Sequence, residues 1–394
     1  RKPIKLELLT SILLIFSTIL ALIMYNSPLN YLYKYIFESI YIFKDFSLHM
    51  FINDFLMAIF FLVAGLEIKH EILHGSLSSF KKASFPIIAS LGGVIVPALI
   101  FIILNKETPF LGGFCIPIST DIAFAVGIFL LFSKKLSPSL KIFLLSLAVV
   151  DDLISILAIG TVYSIDINTY YLFLAILVFM TLIIANKLFN IQSITYYLLS
   201  GFCLWYFIYL SGVHCTISGV LLAITIPSSN SSGISTLEKL QHLLVPINSL
   251  IIIPLFAFAN TGVSFTYNLD LSSSSASTLY KGIILGLCVG KPLGIMLFSY
   301  VGTLLGITQK PSNISWFAVF LVSLIAGVGF TMSIFISEIA FIHDFTLINI
   351  AKTSILISSI ISILSTYIAI KVYDIFIKFN CSSKTSLVNK YYIS

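Results

Sequence analysis

Charge is what this chain has least of. Only 10% of its 394 residues are Asp, Glu, Lys or Arg, against about 25% in soluble domains, and that shortage excludes a solvated globular surface. Cysteine is sparse too. Cys115, Cys203, Cys215, Cys288 and Cys381 show no CxxC spacing, and four of them fall inside apolar segments. They read as small packing residues, which excludes a disulfide framework and a thiolate metal site. The stretches between apolar segments are short, so residues 1–394 read as one domain with short termini.

What fills the chain instead is apolar sequence. Hydrophobic residues make up 58% and mean hydropathy is +1.07. Apolar segments run at about 8–24, 54–68, 84–104, 111–132, 140–163, 170–186, 195–210, 213–227, 246–262, 280–304, 316–337 and 347–371. Most are long enough to cross a hydrocarbon layer of about 30 Å. The spacing predicts an all-α polytopic membrane protein of about 12 transmembrane helices. The first segment follows Arg1, Lys2 and Lys5 like the n-region of a signal peptide. No small-x-small cleavage site follows it, so a retained first helix is expected.

With the N-terminus placed in the cytoplasm, 16 of the 22 Lys and Arg fall inside. Lys34, Lys44, Lys106 and Lys281 fall outside, and Lys291 and Lys352 lie in or at the start of spans. That bias predicts both termini inside. It also accounts for the net charge of +6 without a nucleic-acid partner.

Against this background three aspartates stand out: Asp121, and the adjacent Asp151 and Asp152, each near the middle of an apolar segment. A carboxylate at that depth costs about 2.5 to 3.5 kcal/mol, and such residues mark ion or proton pathways. Lys291 is a fourth charge in mid-segment, either a structural counter-charge or a titrating group in its own right. Pro117 with Ser119-Thr120 interrupts the fourth segment, and Ala326-Gly327-Val328-Gly329 interrupts the eleventh. Segments at about 84–163 and 280–371 then read as inverted-topology repeats with broken helices in corresponding positions, the arrangement of a transporter's midplane site. Gly92-Gly93, by contrast, reads as close helix packing. Asp121 is expected beside the positive N-terminal ends of the half-helices, with a cation near the carbonyl ends.

Asp151 and Asp152 are successive helical residues, so their side chains diverge by about 100°. Carboxylate, hydroxyl and carbonyl oxygens suit a hard cation. A carboxylate that titrates in the physiological range binds either H⁺ or a monovalent cation, and that competition is sufficient for exchange when the site opens alternately to each side. Glu67, Lys69, His70 and Glu71 lie at the cytoplasmic end of the second span. His214 opens the eighth segment and His242 precedes the ninth. An intramembrane aspartyl protease would need a Gly-x-Gly-Asp motif, which is absent, so no enzyme is expected. A channel would need a repeated filter-like segment. Another proton-coupled solute or cation transporter remains the alternative.

The chain resembles the NhaA family of bacterial Na⁺/H⁺ antiporters. The resemblance is carried in order by Phe51-Ile52-Asn53-Asp54 with Phe60 to Lys69, Ser119-Thr120-Asp121-Ile122-Ala123-Phe124-Ala125, Val149-Val150-Asp151-Asp152-Leu153, Pro254 to Asn260, Gly290-Lys291-Pro292-Leu293-Gly294 and Gly329-Phe330-Thr331-Met332-Ser333. It implies twelve helices with the fourth and eleventh unwound and crossed. It implies electrogenic exchange of Na⁺ or Li⁺ for more than one H⁺ in the bacterial inner membrane, with no cofactor beyond the transported ions. By motif position Asp152 and Asp151 become the cation and proton carboxylates, Thr120 and Asp121 their broken-helix partners, and Lys291 the counter-charge to Asp151. Asp54 matches a family acid. Asp54, Glu67, Glu71, His214 and His242 are candidates for pH sensing or ion entry. A homodimer through a β-hairpin within 26–53 is also implied. Around His242 the chain departs from the family, carrying Gln241 for an acid and Val245 for a second histidine.

Overall fold

The computed structural model describes residues 2–43, 46–75, 78, 80–132, 136–164, 167–228, 233–264, 274–342 and 344–382. Its helices are α1 (Lys2–Tyr25), α2 (Leu48–His74), α3 (Phe80–Asn105), α4 (Ile122–Leu131), α5 (Pro138–Val162), α6 (Thr169–Lys187), α7 (Ile194–Ser211) and α8 (Ile217–Thr225). They continue with α9 (Thr236–Asn260), α10 (Ala276–Leu304), α11 (Trp316–Ala326), α12 (Phe330–Ala340) and α13 (Phe345–Ser382). Nine of the described helices are long and apolar enough to cross a membrane, and α11 with α12, bent by 46° at their junction, makes a tenth crossing if the pair is one span. The chain is a multi-pass helical membrane protein. Lys44, Lys134, Lys135 and the cytoplasmic tail expected at 383–394 lie outside the described residues.

Besides the eleventh, divided between α11 and α12, two of the twelve expected segments differ from a single long helix. Segment 111–132 begins as tight turns over Pro109–Cys115, loses helical form through Asp121, and becomes helical only at α4, ten residues long. Pro117 has no N–H to continue a helix. Segment 213–227 forms only α8. Gly212, at φ 80, ends α7, and Pro227 follows α8 closely. Nine residues rise about 14 Å, half of a hydrocarbon core. Hydropathy registered the apolar content of both stretches but not their turns.

The described residues group into two compact units, 1–78 with 152–265 and 79–151 with 266–394. In the first, α2 and α8 approach backbone to backbone. A Cβ at Gly219 would overlap the Ala58 carbonyl, and one at Gly65 would lie 2.7 Å from Ala223 Cβ. Small residues permit that approach where no water-driven force holds helices together. Leu62, Leu66, Leu204, Leu222, Leu240 and Leu244 belong to the apolar core of this unit. The Lys69 ammonium donates to the carbonyls of Ala223, Ile224 and Ile226 at 3.3, 2.7 and 2.5 Å, where the negative end of α8 lies. A short antiparallel hairpin pairs β1 (Tyr41–Phe43) with β2 (Phe46–Ser47). Tyr41 and Phe43 stand exposed on it.

In the second unit α3 and α10 make the same kind of contact. A Cβ on either Gly92 or Gly294 would overlap the carbonyl of the other. α10 widens into a π-type turn over Gly286–Gly290, directly before Lys291 and Pro292, a proline that leaves a helix carbonyl without its usual N–H. On α13, Glu338 of α12 meets Lys352 at 2.5 Å in a largely buried ion pair.

Candidate functional site

The site is built where two interrupted stretches of the second unit meet. α11 ends at Ala326, Gly327 and Gly329 flank Val328, and α12 begins at Phe330. The Asp121 N–H donates to the Val328 carbonyl at 2.9 Å, and the Ser333 hydroxyl donates to the Ile116 carbonyl at 2.8 Å. Backbone groups freed by one break are therefore satisfied by the other, as a water-poor setting requires.

Asp121 serves both new helix starts. Its Oδ1 accepts from the Phe124 N–H at 2.9 Å, capping α4. Its Oδ2 accepts from the Thr331 N–H at 3.0 Å and from the Thr331 hydroxyl, capping α12. Each helix N-terminus carries about half a positive charge, so two of them offset one carboxylate. The aspartate expected beside N-terminal helix ends thus caps two of them at once.

The carbonyl end of α11 takes the opposite charge. The Thr120 hydroxyl lies 3.0 Å from the Ala326 carbonyl and 2.9 Å from Asp151 Oδ2. Its single proton serves one of them at a time. Lys291 Nζ donates to Thr120 Oγ1 and lies 3.0 Å from Asp151 Oδ2. Lys291 and Asp151 are both fully buried, where each charge requires the other. Ser90 of α3 donates its hydroxyl to Asp151 Oδ1. Asp151 accordingly faces three donors from α3, α10 and the stretch before α4.

Thr120, Asp121, Asp151 and Lys291 are brought together in one unit. Asp152 follows on α5 and is also buried. The other candidates lie in the first unit and form no single cluster. Asp54 is thirteen residues, about 20 Å of helix, from Glu67. The Asp54 carbonyl accepts from the Trp205 indole at 3.2 Å and from the Cys215 thiol at 3.6 Å. Glu71 lies one turn beyond Glu67, its carbonyl accepting from the Gly75 N–H at 3.0 Å. His214 pairs locally with Thr216 at 2.8 Å, and His242 is exposed on α9. Sequence reading missed Ser90 and Thr331 as partners of the acids. Thr331 sits two residues after the Gly-x-Gly sequence, in the first turn of α12, which marks it as a helix-start residue. Ser90 carries no local signal of its own.

The sequence model of the Na⁺/H⁺ antiporter 1 family matches residues 1–370. The Na⁺/H⁺ antiporter NhaA of Helicobacter pylori (strain G27) is 42% identical, covering 91% of this chain and 92% of that protein. The NhaA 2 protein of Aliarcobacter butzleri is 42% identical over 90% and 92%, and NhaA of Actinobacillus pleuropneumoniae is 39% identical over 94% and 96%. With a buried acid–lysine pair set at two interrupted stretches and the family pattern running through the fold, this chain belongs to the Na⁺/H⁺ antiporter 1 family and exchanges Na⁺ for H⁺.

Proposed function

We propose that the exchange is electrogenic, exporting Na⁺ or Li⁺ against a larger number of incoming H⁺ by alternating access, in the service of sodium and pH homeostasis. Asp151 and Asp152 are the carboxylates at which cation and protons compete. Two carboxylates that trade two protons for one monovalent cation move one net charge per cycle, and this couples transport to the membrane potential. The observation that carries this reading is the fully buried Lys291–Asp151 pair at 3.0 Å, bonded through Thr120 to the open carbonyl end of α11. A cation reaching Asp151 takes over the role that the Lys291 ammonium fills in this conformation. Asp121 holds the two helix starts in place and does not itself exchange.

In this reading the chain crosses a bacterial inner membrane twelve times, with both termini in the cytoplasm. The stretch before α4 together with α4 forms the fourth crossing, α8 part of the eighth, and α11 with α12 the eleventh. The breaks meet at mid-membrane, and the repeats at about 84–163 and 280–371 have inverted topology. Two copies pair through the exposed β1–β2 hairpin. No cofactor is called for, and the chain is a transporter without enzymatic chemistry of its own.

The test is the collapse of a preformed pH gradient in everted vesicles on adding Na⁺, Li⁺ or K⁺, with the membrane potential clamped or free. Na⁺ and Li⁺ should dissipate the gradient, faster when the potential favours net inward charge. A rate indifferent to the potential would remove electrogenicity, and no response to Li⁺ would restrict the site to Na⁺.

A further inference from the structure

We propose that Ser90 is a positioning residue for the exchange, holding one oxygen of Asp151 fixed while the other trades its donors for the transported cation. The inference rests on the role proposed above for Asp151.

Three observations carry it. First, Ser90 is fully buried, and its hydroxyl donates to Asp151 Oδ1, a residue 61 positions away. Three buried serines of α13 in the same unit behave differently. Ser354, Ser358 and Ser359 each turn their hydroxyl back onto a carbonyl of their own helix at 2.6 to 2.8 Å, the local bond that a helical serine ordinarily makes. Ser90 gives its proton to an acid on another helix.

Second, Ser90 and Lys291 flank one close contact. Ser90 precedes Gly92 by two residues, and Lys291 precedes Gly294 by three. The helices that carry them, α3 and α10, are locked backbone to backbone through Gly92 and Gly294. These two positions then address the two oxygens of one carboxylate, Ser90 at Oδ1 and Lys291 at Oδ2.

Third, α3 passes close to that oxygen at Gly93, where the Ile295 side chain of α10 also packs. A Cβ on Gly93 would lie 4.0 Å from Asp151 Oδ1. The donors divide accordingly. Oδ2 carries the exchangeable pair, Lys291 and Thr120, and Oδ1 carries Ser90 alone among the described partners. A cation entering at Oδ2 meets a carboxylate that need not swing to receive it, and a preorganised ligand binds more tightly because less ordering remains to be done.

The experiment uses full-length protein in proteoliposomes, with Na⁺-driven proton movement measured over a range of Na⁺ at an alkaline pH where proton competition is least. Ser90→Ala is expected to raise the apparent KM for Na⁺ about tenfold, equivalent to about 1.4 kcal/mol, with the maximal rate within about twofold of the parent's. Ser90→Thr, which restores the hydroxyl, should bring KM back. An apparent KM in Ser90→Ala within about twofold of the parent's, a lower one, or a lost rate at unchanged KM overturns the assignment. If Ser90→Ala does not fold, Ser90→Cys, a weak donor of similar size, takes its place with the same criteria. A parent protein with no Na⁺ response would instead count against the proposed function, so the two failures are separable.

Discussion

The two compact units use one packing device in opposite settings. In the first, glycines bring α2 and α8 together beside a cluster of leucines, and several long-range hydrogen bonds among the described residues are neutral or one-sided. The Tyr33 hydroxyl lies within hydrogen-bond reach of the Phe258 and Ala259 carbonyls, Asn53 and Asn260 exchange amide hydrogen bonds, and Lys69 donates to carbonyls of α8 and just beyond it. In the second, glycines bring α3 and α10 together beside an acid–lysine pair, and bonds between residues 140 to 217 positions apart hold broken helices and buried charge in place. Glycine contacts therefore say where helices touch, not what the contact is for. The charge that crosses between distant segments lies in the second unit, where the proposed exchange takes place.

Asp152 offers the strongest challenge to that contrast, since the division falls within α5 between it and Asp151. Asp152→Asn should abolish Na⁺-dependent proton release while leaving the protein inserted, because an amide cannot trade a proton for a cation. Ordinary exchange by that variant in proteoliposomes would take Asp152 out of the mechanism. Lys291→Ala comes next in size. Removing one partner leaves a buried carboxylate alone at a cost of about 3 to 5 kcal/mol while it stays ionised. The melting temperature should fall sharply while some exchange persists, and pairing the change with Asp151→Asn should recover much of the stability. An unchanged melting temperature with no transport would make Lys291 a proton carrier.

The glycine contacts sharpen the comparison directly. Gly219→Ala and Gly294→Ala each push a methyl into a facing carbonyl, so both should lose about 1 to 3 kcal/mol of stability. Only Gly294→Ala, one turn from Lys291, should also slow exchange per folded molecule. Equal transport loss in both would mean that the first unit is no passive frame.

Much of this was legible in the sequence because burying charge and breaking a helix both leave marks. Asp121, Asp151, Asp152 and Lys291 stood out against apolar neighbours, and Pro117 and Gly327-Val328-Gly329 lie in non-helical stretches. Helix length was less legible. Segment 213–227 counts as apolar throughout, yet the left-handed Gly212 and Pro227 leave only nine helical residues. Ser90 was invisible for another reason. A serine in an apolar helix usually bonds its own backbone, and only the fold reveals that this hydroxyl reaches an acid 61 residues on.

The smallest expected effect lies in the first unit, around His242. A steep pH switch needs several coupled groups that titrate together near neutrality, and histidine is the side chain suited to that range. The family pattern places an acid before this histidine and a second histidine three residues after it. Here Gln241 and Val245 stand in those places, and Val245 packs against the leucine cluster while His242 faces outward. Asp54, Glu67 and Glu71 of α2 and His214 before α8 complete the titratable set named for this unit. Gln241→Glu with Val245→His should steepen or displace the pH profile of Na⁺-induced gradient collapse. His242 is exposed, and coupling to an exposed partner is worth about 1 kcal/mol or less, so the midpoint should move by less than about one pH unit. The comparison belongs at saturating Na⁺, because at lower concentrations simple proton competition at the binding acids imitates regulation. A profile that overlays the parent's would leave pH dependence entirely to the charged centre, and the division of labour between the two units would then be sharper than the family pattern implies.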